Sequence, residues 1–496
     1  MTPVTTTSSM LGSGVASVAP PVQALGLVAA VVLLVPIVAW AGAKAWERPS
    51  LLVAAMIVVT AVPWRTGGEG PELLHLTLAD VASVVLVVVV LARLLWRPSV
   101  VDEQRLRSWV LLPMLGLVAA ATLATFLASD AMTSLSGLAR QAQLLVVVPL
   151  AGYLSMRHRD DVRSLVGAVL LLGVGQSILA VIQYATGTGA SYGGEDIRGV
   201  GTFGAFAIMA LPAVVTAALM VAVSLALVYE GRQRAWALGA VALLLPGLAV
   251  SFSRGYWLAA LVGVLAVFAV VDWRRAALLL LAGVLAGGVL VSVASARPGS
   301  SPLLERVAGS AEIVSEPDQS VGDRYALWTA AVGMWQDHPV AGVGLKNYPR
   351  YRDSYVSFAF SGRSDIADPQ GGFRQVELLT PHNEYLLVLA EQGLVGVIAN
   401  AVFLASLGWA AVRRVRREVL DGSEPLVQVF GLTACGLFAV YLVSGIYGDA
   451  GGAIGLVDGA LLFGGLLWFA SGATLTPSPA TAPVPGADHL DAEVRP

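Results

Sequence analysis

The chain has 496 residues, of which 56% are hydrophobic and 13% charged, where soluble domains carry roughly a quarter charged residues. Its net charge of -3 excludes the strongly basic balance of a nucleic-acid binder. The single cysteine, Cys435, lies in an apolar run, which excludes a disulfide framework and a cysteine-based metal site.

Residues 1–21 are rich in Ser, Thr and Gly and lack the basic stretch of a signal peptide, so they read as a flexible N-terminus. Beyond them, uncharged stretches of membrane length recur, and the chain reads as an all-α integral membrane protein. The apolar segments lie near 22–42, 50–63, 76–96, 109–128, 142–156, 164–185, 200–228, 235–252, 255–271, 276–294, 383–411, 426–446 and 452–471. That gives about 12–13 transmembrane helices at roughly 20 residues per span. The second and fifth segments are short enough to be half-spans, and the eighth and ninth meet at Ser253-Arg254-Gly255 with almost no loop. The domain division is an N-terminal bundle (22–294), one long extracytoplasmic loop (295–381), C-terminal helices (382–471) and a disordered tail (472–496).

Orientation follows from arginine. Clusters at Arg93/Arg97/Arg105/Arg107, Arg157/Arg159/Arg163, Arg232/Arg234, Arg274/Arg275 and Arg413/Arg414/Arg416/Arg417 are separated by pairs of spans and mark the cytoplasmic side. The 186–199 loop, the Arg254 junction and segment 295–381 then lie outside, and by parity so does the N-terminus.

In the outer segment, an amphipathic helix is expected from Asp323 to Asp337, with Trp328 and Trp335 on an interfacial stripe. His338-Pro339 ends it, Gly342-Val343-Gly344 turns the chain, and Ser357 to Gln375 reads as a mobile, lid-like stretch. His382, one of five histidines, follows at the mouth of an apolar helix, with ten residues (Asn383 to Gln392) between it and Gly393. A group titrating near neutrality at a membrane surface suits proton abstraction, although a helix-entry residue bonded to a loop carbonyl fits the pattern too. Three outward arginines accompany it: Arg198, Arg254 and Arg324. Guanidinium binds phosphate with two oxygens at once, so arginines around one cavity suit a lipid-linked diphosphate. The structural alternatives are a snorkelling Arg198, a paired Arg254, and an Arg324 neutralised by Asp323 or Asp337. Asp458, mid-span, is a further ionisable residue, read as an arginine partner or a helix contact. No His/Asp/Glu spacing suggests a metal site, and the glycine pairs follow no strand, which argues against a nucleotide loop.

The blocks Ser253-Arg254-Gly255, Arg324 to Trp328, Asp337-His338-Pro339-Val340-Ala341-Gly342-Val343-Gly344, and Pro381-His382-Asn383 through Glu391-Gln392-Gly393 occur in this order. Together they resemble the O-antigen ligase and O-antigen polymerase superfamily, well over roughly residues 195–415 and elsewhere by span pattern. The resemblance implies a GT-C-like helical fold in a bacterial inner membrane, with the site on the extracytoplasmic face. It implies metal-independent, inverting transfer of a glycan from an undecaprenyl-diphosphate carrier to a hydroxyl on a lipid, glycan or protein acceptor, with no cofactor. His382 would be the base, and Arg254, Arg324 and Arg198 would bind the diphosphate. Glu391, Tyr325 and Asn383 would support them.

Two departures bear on the acceptor. The family often shows Leu four residues after the loop arginine, where this chain has Trp328. The stretch after Arg198 reads Phe203-Gly204-Ala205-Phe206 in place of an Asn-Pro-Asn. A polymerase of the same superfamily is the nearest alternative to a ligase. A bicarbonate or other small-solute transporter would concentrate its polar groups at mid-membrane, whereas here they gather toward one face.

Overall fold

A computed structural model describes residues 42–62, 77–96, 108–192, 197–204, 207–296, 319–356, 360, 363–368, 372–420, 422–448 and 452–476. The expected first segment near 22–42, the flexible N-terminus, the tail beyond 476, and Arg97, Arg105 and Arg107 therefore lie outside the described residues. Residues 42–47 belong to a unit separate from Arg48–Pro496, in which everything below takes place.

Among the described residues, ten helices are long and apolar enough to cross a membrane. In chain order the helices are a short α1 (Ser50–Val59), α2 (Leu78–Trp96), α3 (Ser108–Leu127), α4 (Ala131–Ser155) and α5 (Arg159–Thr186). After a loop come α6 (Ala210–Val228), α7 (Gly231–Val250), α8 (Arg254–Val271) and α9 (Trp273–Ala296). The outer segment contributes α10 (Gln319–Asp337) and a short α11 (Tyr348–Arg352). Then follow α12 (Glu384–Leu420), α13 (Pro425–Ser444) and α14 (Ile454–Ser471). Helices dominate because, in hydrocarbon, the backbone must satisfy its own hydrogen bonds.

The expected half-span near 142–156 is in fact the second half of α4, which begins at Ala131. Its middle, Gln143–Val147, is a π-turn in which Val148 N–H reaches back to Gln143 carbonyl. Pro149 lacks the N–H that Leu145 carbonyl would otherwise accept, so the ladder widens there instead of ending. The eighth and ninth segments remain two helices, with Ser251-Phe252-Ser253 as the whole corner between α7 and α8.

α6 is one of the two most enclosed spans, with α14. Glycine sets how closely its neighbours approach. A Cβ on Gly173 of α5 would stand 2.2 Å from Ala218, and one on Gly263 of α8 would meet Val440 at 2.6 Å and Met220 at 2.8 Å. Membrane helices gain little from apolar burial against each other, so this close dispersion contact is what holds them together.

The helical class holds, with one small addition. A small antiparallel sheet runs β1 (Ser191–Tyr192), β2 (Arg363–Asp368), β3 (Gly372–Glu377). The stretch expected to be a mobile lid thus contains a hairpin, and β1 joins it to the loop that follows α5. The two loops placed on one face by the arginine rule do lie together. The arginine-rich ends also meet: Arg159 of α5 bonds Glu424, which precedes α13, at 2.8 Å.

Candidate active site

α12 is interrupted. At Gly393, φ is 60° and ψ -160°, so the helix divides into a short entry half and a longer span. Such a break orphans the carbonyls before it and the amides after it, and both sets must be satisfied in a buried place. Segment 339–344 does this. Val343 and Gly344 N–H donate to the Ala390 and Glu391 carbonyls, each at 2.9 Å. Leu394 and Val395 N–H donate to the Pro339 and Val340 carbonyls at 2.9 and 3.2 Å. Gly342 and Gly393 permit the approach: a Cβ on Gly342 would lie 2.5 Å from Ala390 carbonyl oxygen, and one on Gly393 2.4 Å from that of Val340. Two blocks singled out separately in the sequence are therefore one structural unit.

Glu391 is buried in this unit. Its Oε1 accepts Tyr348 N–H at 3.1 Å, and its carboxylate also takes the Lys346 N–H. Tyr348 in turn donates its hydroxyl to Leu327 carbonyl of α10 at 2.7 Å, and burial raises its phenol above the ordinary value. A second core of Leu327, Ala330, Ala331, Met334, Val343, Tyr348, Leu378 and Ala390 fixes α10 against α12. The amphipathic helix expected at a lipid interface therefore packs on protein and begins earlier, at Gln319.

The entry half of α12 carries His382 at its mouth. Asn383 is its N-cap and accepts Leu386 N–H at 3.0 Å through Oδ1. His382, half-buried, has φ 49°, a left-handed conformation that costs a residue with a Cβ about 1–3 kcal/mol. Among the described residues, the other non-glycine residues at positive φ are Phe252, in the α7–α8 corner, and Lys346, in the clamp segment. All three lie at this end of the molecule.

Hydrogen bonds and close contacts lead from His382 to each arginine. Trp328 Nε1 donates to Pro381 carbonyl at 2.9 Å. Arg324 precedes Trp328 by four positions, so it occupies the same face of α10 about 6 Å along the axis. Glu384 N–H donates to the Gly445 and Gly448 carbonyls at 2.7 and 3.0 Å, tying the mouth to the turn after α13. Tyr447 of that turn would meet a Cβ on Gly255 at 3.0 Å, so Arg254, at the start of α8, borders the same turn. Gly199 N–H donates to Val250 carbonyl at 3.0 Å, bringing Arg198 to the α7–α8 corner. Arg198 is buried, and its backbone pairs with Ala190 at 2.9 and 3.0 Å just before β1.

The alternatives set out for these residues fare unequally. Arg198 does not snorkel; it is 5% exposed. Asp337 accepts the Tyr355 hydroxyl at 2.7 Å, which pushes that phenol up to about 12. Burial raises the Asp323 carboxyl. Arg324 and Arg254 are half-buried, and Tyr325 is exposed, its ring edge-on to Trp328 at 5.8 Å between centroids. Asp458 immediately precedes a π-turn, Gly459–Phe463, with no arginine partner among the described residues.

The sequence reading missed several members of the site. Arg352 is buried and donates to Leu378 carbonyl at 2.5 Å. The turn after α3 and the first turn of α4 join in as well: Asn347 Nδ2 bonds Ser134 at 2.7 Å, Tyr351 bonds Ser129 at 2.8 Å and Arg350 bonds Asp130 at 3.3 Å. The one available signal was the density of arginine and tyrosine from Tyr348 to Tyr355.

By its helices the chain is a multi-pass membrane protein, with polar and strained residues concentrated at one end of the bundle. Residues 238–401 match the family model described as O-antigen ligase, Wzy_C. The match covers less than half of the chain, supports its place in the O-antigen ligase and polymerase superfamily, and includes Arg254, Arg324, His382 and Gly393 but not Arg198. No curated protein matches the chain.

Proposed function

We propose that the protein is a glycan ligase that transfers a saccharide from an undecaprenyl-diphosphate carrier to a hydroxyl acceptor at the extracytoplasmic face of a bacterial inner membrane. The observation that carries this reading is the Trp328–Pro381 hydrogen bond, which couples the helix bearing Arg324 to the residue before His382. A base and a diphosphate-binding cation are thereby held by one contact. His382 takes the proton of the acceptor hydroxyl as its oxygen attacks C1 of the first sugar. The C1–O bond to the diphosphate breaks from the opposite side, inverting the carbon. The diphosphate leaves with the bonding electrons. Arg324, Arg254 and Arg198 offset the charge that grows on it, which is the role a metal would otherwise fill. Asn383 caps the mouth of α12, Glu391 ties the helix break to the segment before α11, and Tyr325 offers an exposed hydroxyl and ring beside Arg324.

The test is transfer by purified protein from an undecaprenyl-diphosphate-linked glycan, with added chelator. His382→Ala should abolish transfer and keep donor binding, whereas Arg324→Met and Arg254→Met should weaken donor binding. Full transfer by His382→Ala, or loss of transfer on chelation, would overturn the mechanism. Product that stays on the carrier and grows by repeats would instead identify a polymerase, the alternative that the departures at Trp328 and Phe203–Phe206 keep in view.

A further inference from the structure

We infer that Arg352 is a positioning residue for the transfer step: its buried guanidinium fixes the path of residues 378–382 and so the placement of His382. The inference rests on the function proposed above for its kinetic part and on geometry alone for the rest.

Arg352 ends α11 and is 7% exposed. A buried cation is costly unless its N–H groups find acceptors, and two are supplied. Nη1 donates to Leu378 carbonyl at 2.5 Å, and Nε donates to Asp353 Oδ1 at 2.8 Å. Asp353 is largely exposed, so it balances charge from the solvent side, while the Leu378 bond points inward. Leu378 leaves β3, anchors in the second core, and lies four residues before His382. The carbonyl that Arg352 holds belongs to a connecting segment, not to a helix or ladder.

The connection downstream is short. Thr380 Oγ1 accepts His382 N–H at 3.3 Å, a long bond, and Pro381 carbonyl takes the Trp328 indole. His382 itself sits in a left-handed conformation that its own preference does not favour. Something outside the segment must hold it there, and the Arg352 and Trp328 bonds grip it from both sides of Thr380. Arg352 also follows Tyr348 by one turn of α11, and Tyr348 is tied to α10 and to Glu391. One short helix thus relays the position of α10, which carries Arg324, to the segment that carries His382. With Nε and Nη1 committed to protein acceptors, Arg352 differs in role from a cation that meets the diphosphate.

The experiment uses the full-length protein in detergent, comparing wild type, Arg352→Met and Arg352→Lys. Lysine keeps the charge but not the planar fork, so both variants should behave alike. Amide exchange in the peptide spanning 378–386 should accelerate about tenfold or more, with peptide 425–444 unchanged. With the undecaprenyl-diphosphate-linked glycan, kcat should fall roughly 10- to 100-fold while the donor KM stays within about twofold. Unchanged exchange at 378–386 in either variant would overturn the inference. A raised donor KM with kcat retained, restored by lysine, would also overturn it and make Arg352 a diphosphate contact. If Arg352→Met is not recovered folded, the lysine variant alone decides by the same criteria. Faster exchange in a protein whose wild type transfers no glycan would leave the positioning geometry standing and reject the proposed function.

Discussion

The two ends of the bundle use their charged residues in opposite ways. At the arginine-rich end, polar groups complete regular helix termini. Arg414 donates to the Trp468 and Phe469 carbonyls at 3.3 and 3.2 Å and to Ala473, and it stacks on the Trp468 ring at 5.2 Å. A cation at a helix C-terminus satisfies orphan carbonyls and complements the dipole. Asp161 does the reverse at the start of α5, accepting Arg157 and His158 N–H at 3.0 and 2.7 Å. At the other end the backbone leaves its preferred regions at Phe252, Lys346 and His382, α12 is broken, and arginines gather where four separate stretches of chain meet. One end is built to close the fold; the other carries strain that the fold has to sustain. That contrast is the one expected if the second end carries the proposed function.

The sharpest way to test the contrast is His382→Ala. Removing the base should cost roughly 10²- to 10⁴-fold in transfer with no fall in thermal stability, read by turnover and by a melting curve in detergent. Next is Gly393→Ala, which sets a Cβ against Val340 carbonyl at a positive φ. Strain and overpacking together should cost on the order of 3 kcal/mol and lower the melting midpoint, as should Gly342→Ala. Arg414→Met probes the other end. Losing charged hydrogen bonds to carbonyls should cost about 2 kcal/mol of stability while transfer per folded molecule stays at the wild-type level. If that variant lost turnover without losing stability, the division between the ends would fail.

The smallest expected effect is at Asp130. Thr133 N–H and hydroxyl, helped by Arg350, hold its carboxyl below the usual range. A carboxylate with a depressed folded value stabilises above its unfolded value and ceases to do so as pH falls through the folded one. Asp130→Asn should therefore lower stability slightly at neutrality and remove the small loss of stability that wild type shows as pH falls below about 4.

Much of this was legible in the sequence. Apolar length gave ten of the 12–13 expected spans among the described residues, and arginine spacing put the 186–199 and 295–381 loops on one face, where Ser191 pairs with Ala367. His382, the three arginines and the blocks around them were visible as residues. Their connection was not. Nothing in Val340-Ala341-Gly342-Val343 announces that it will pair with a helix interior, because the acceptors are backbone carbonyls freed by Gly393. The hairpin escaped because Arg363–Asp368 is polar on both faces and shows no period-two alternation. Arg352 escaped because its acceptor is also a main-chain oxygen. Side-chain types carry the chemistry and can be read directly; main-chain partners come from the fold.

The pairing of β1 with β2 has a consequence for how the protein is made. Ser191 leaves the ribosome long before Ala367, with α6 to α11 emitted in between. Strand β1, two residues long, cannot stand alone, so the sheet closes late, after most of the spans have been made. A nascent chain released before β2 would have most of its helices threaded and no working site. Truncation should therefore yield inserted, inert protein, an ordering that keeps the reactive end unassembled until biogenesis is nearly complete.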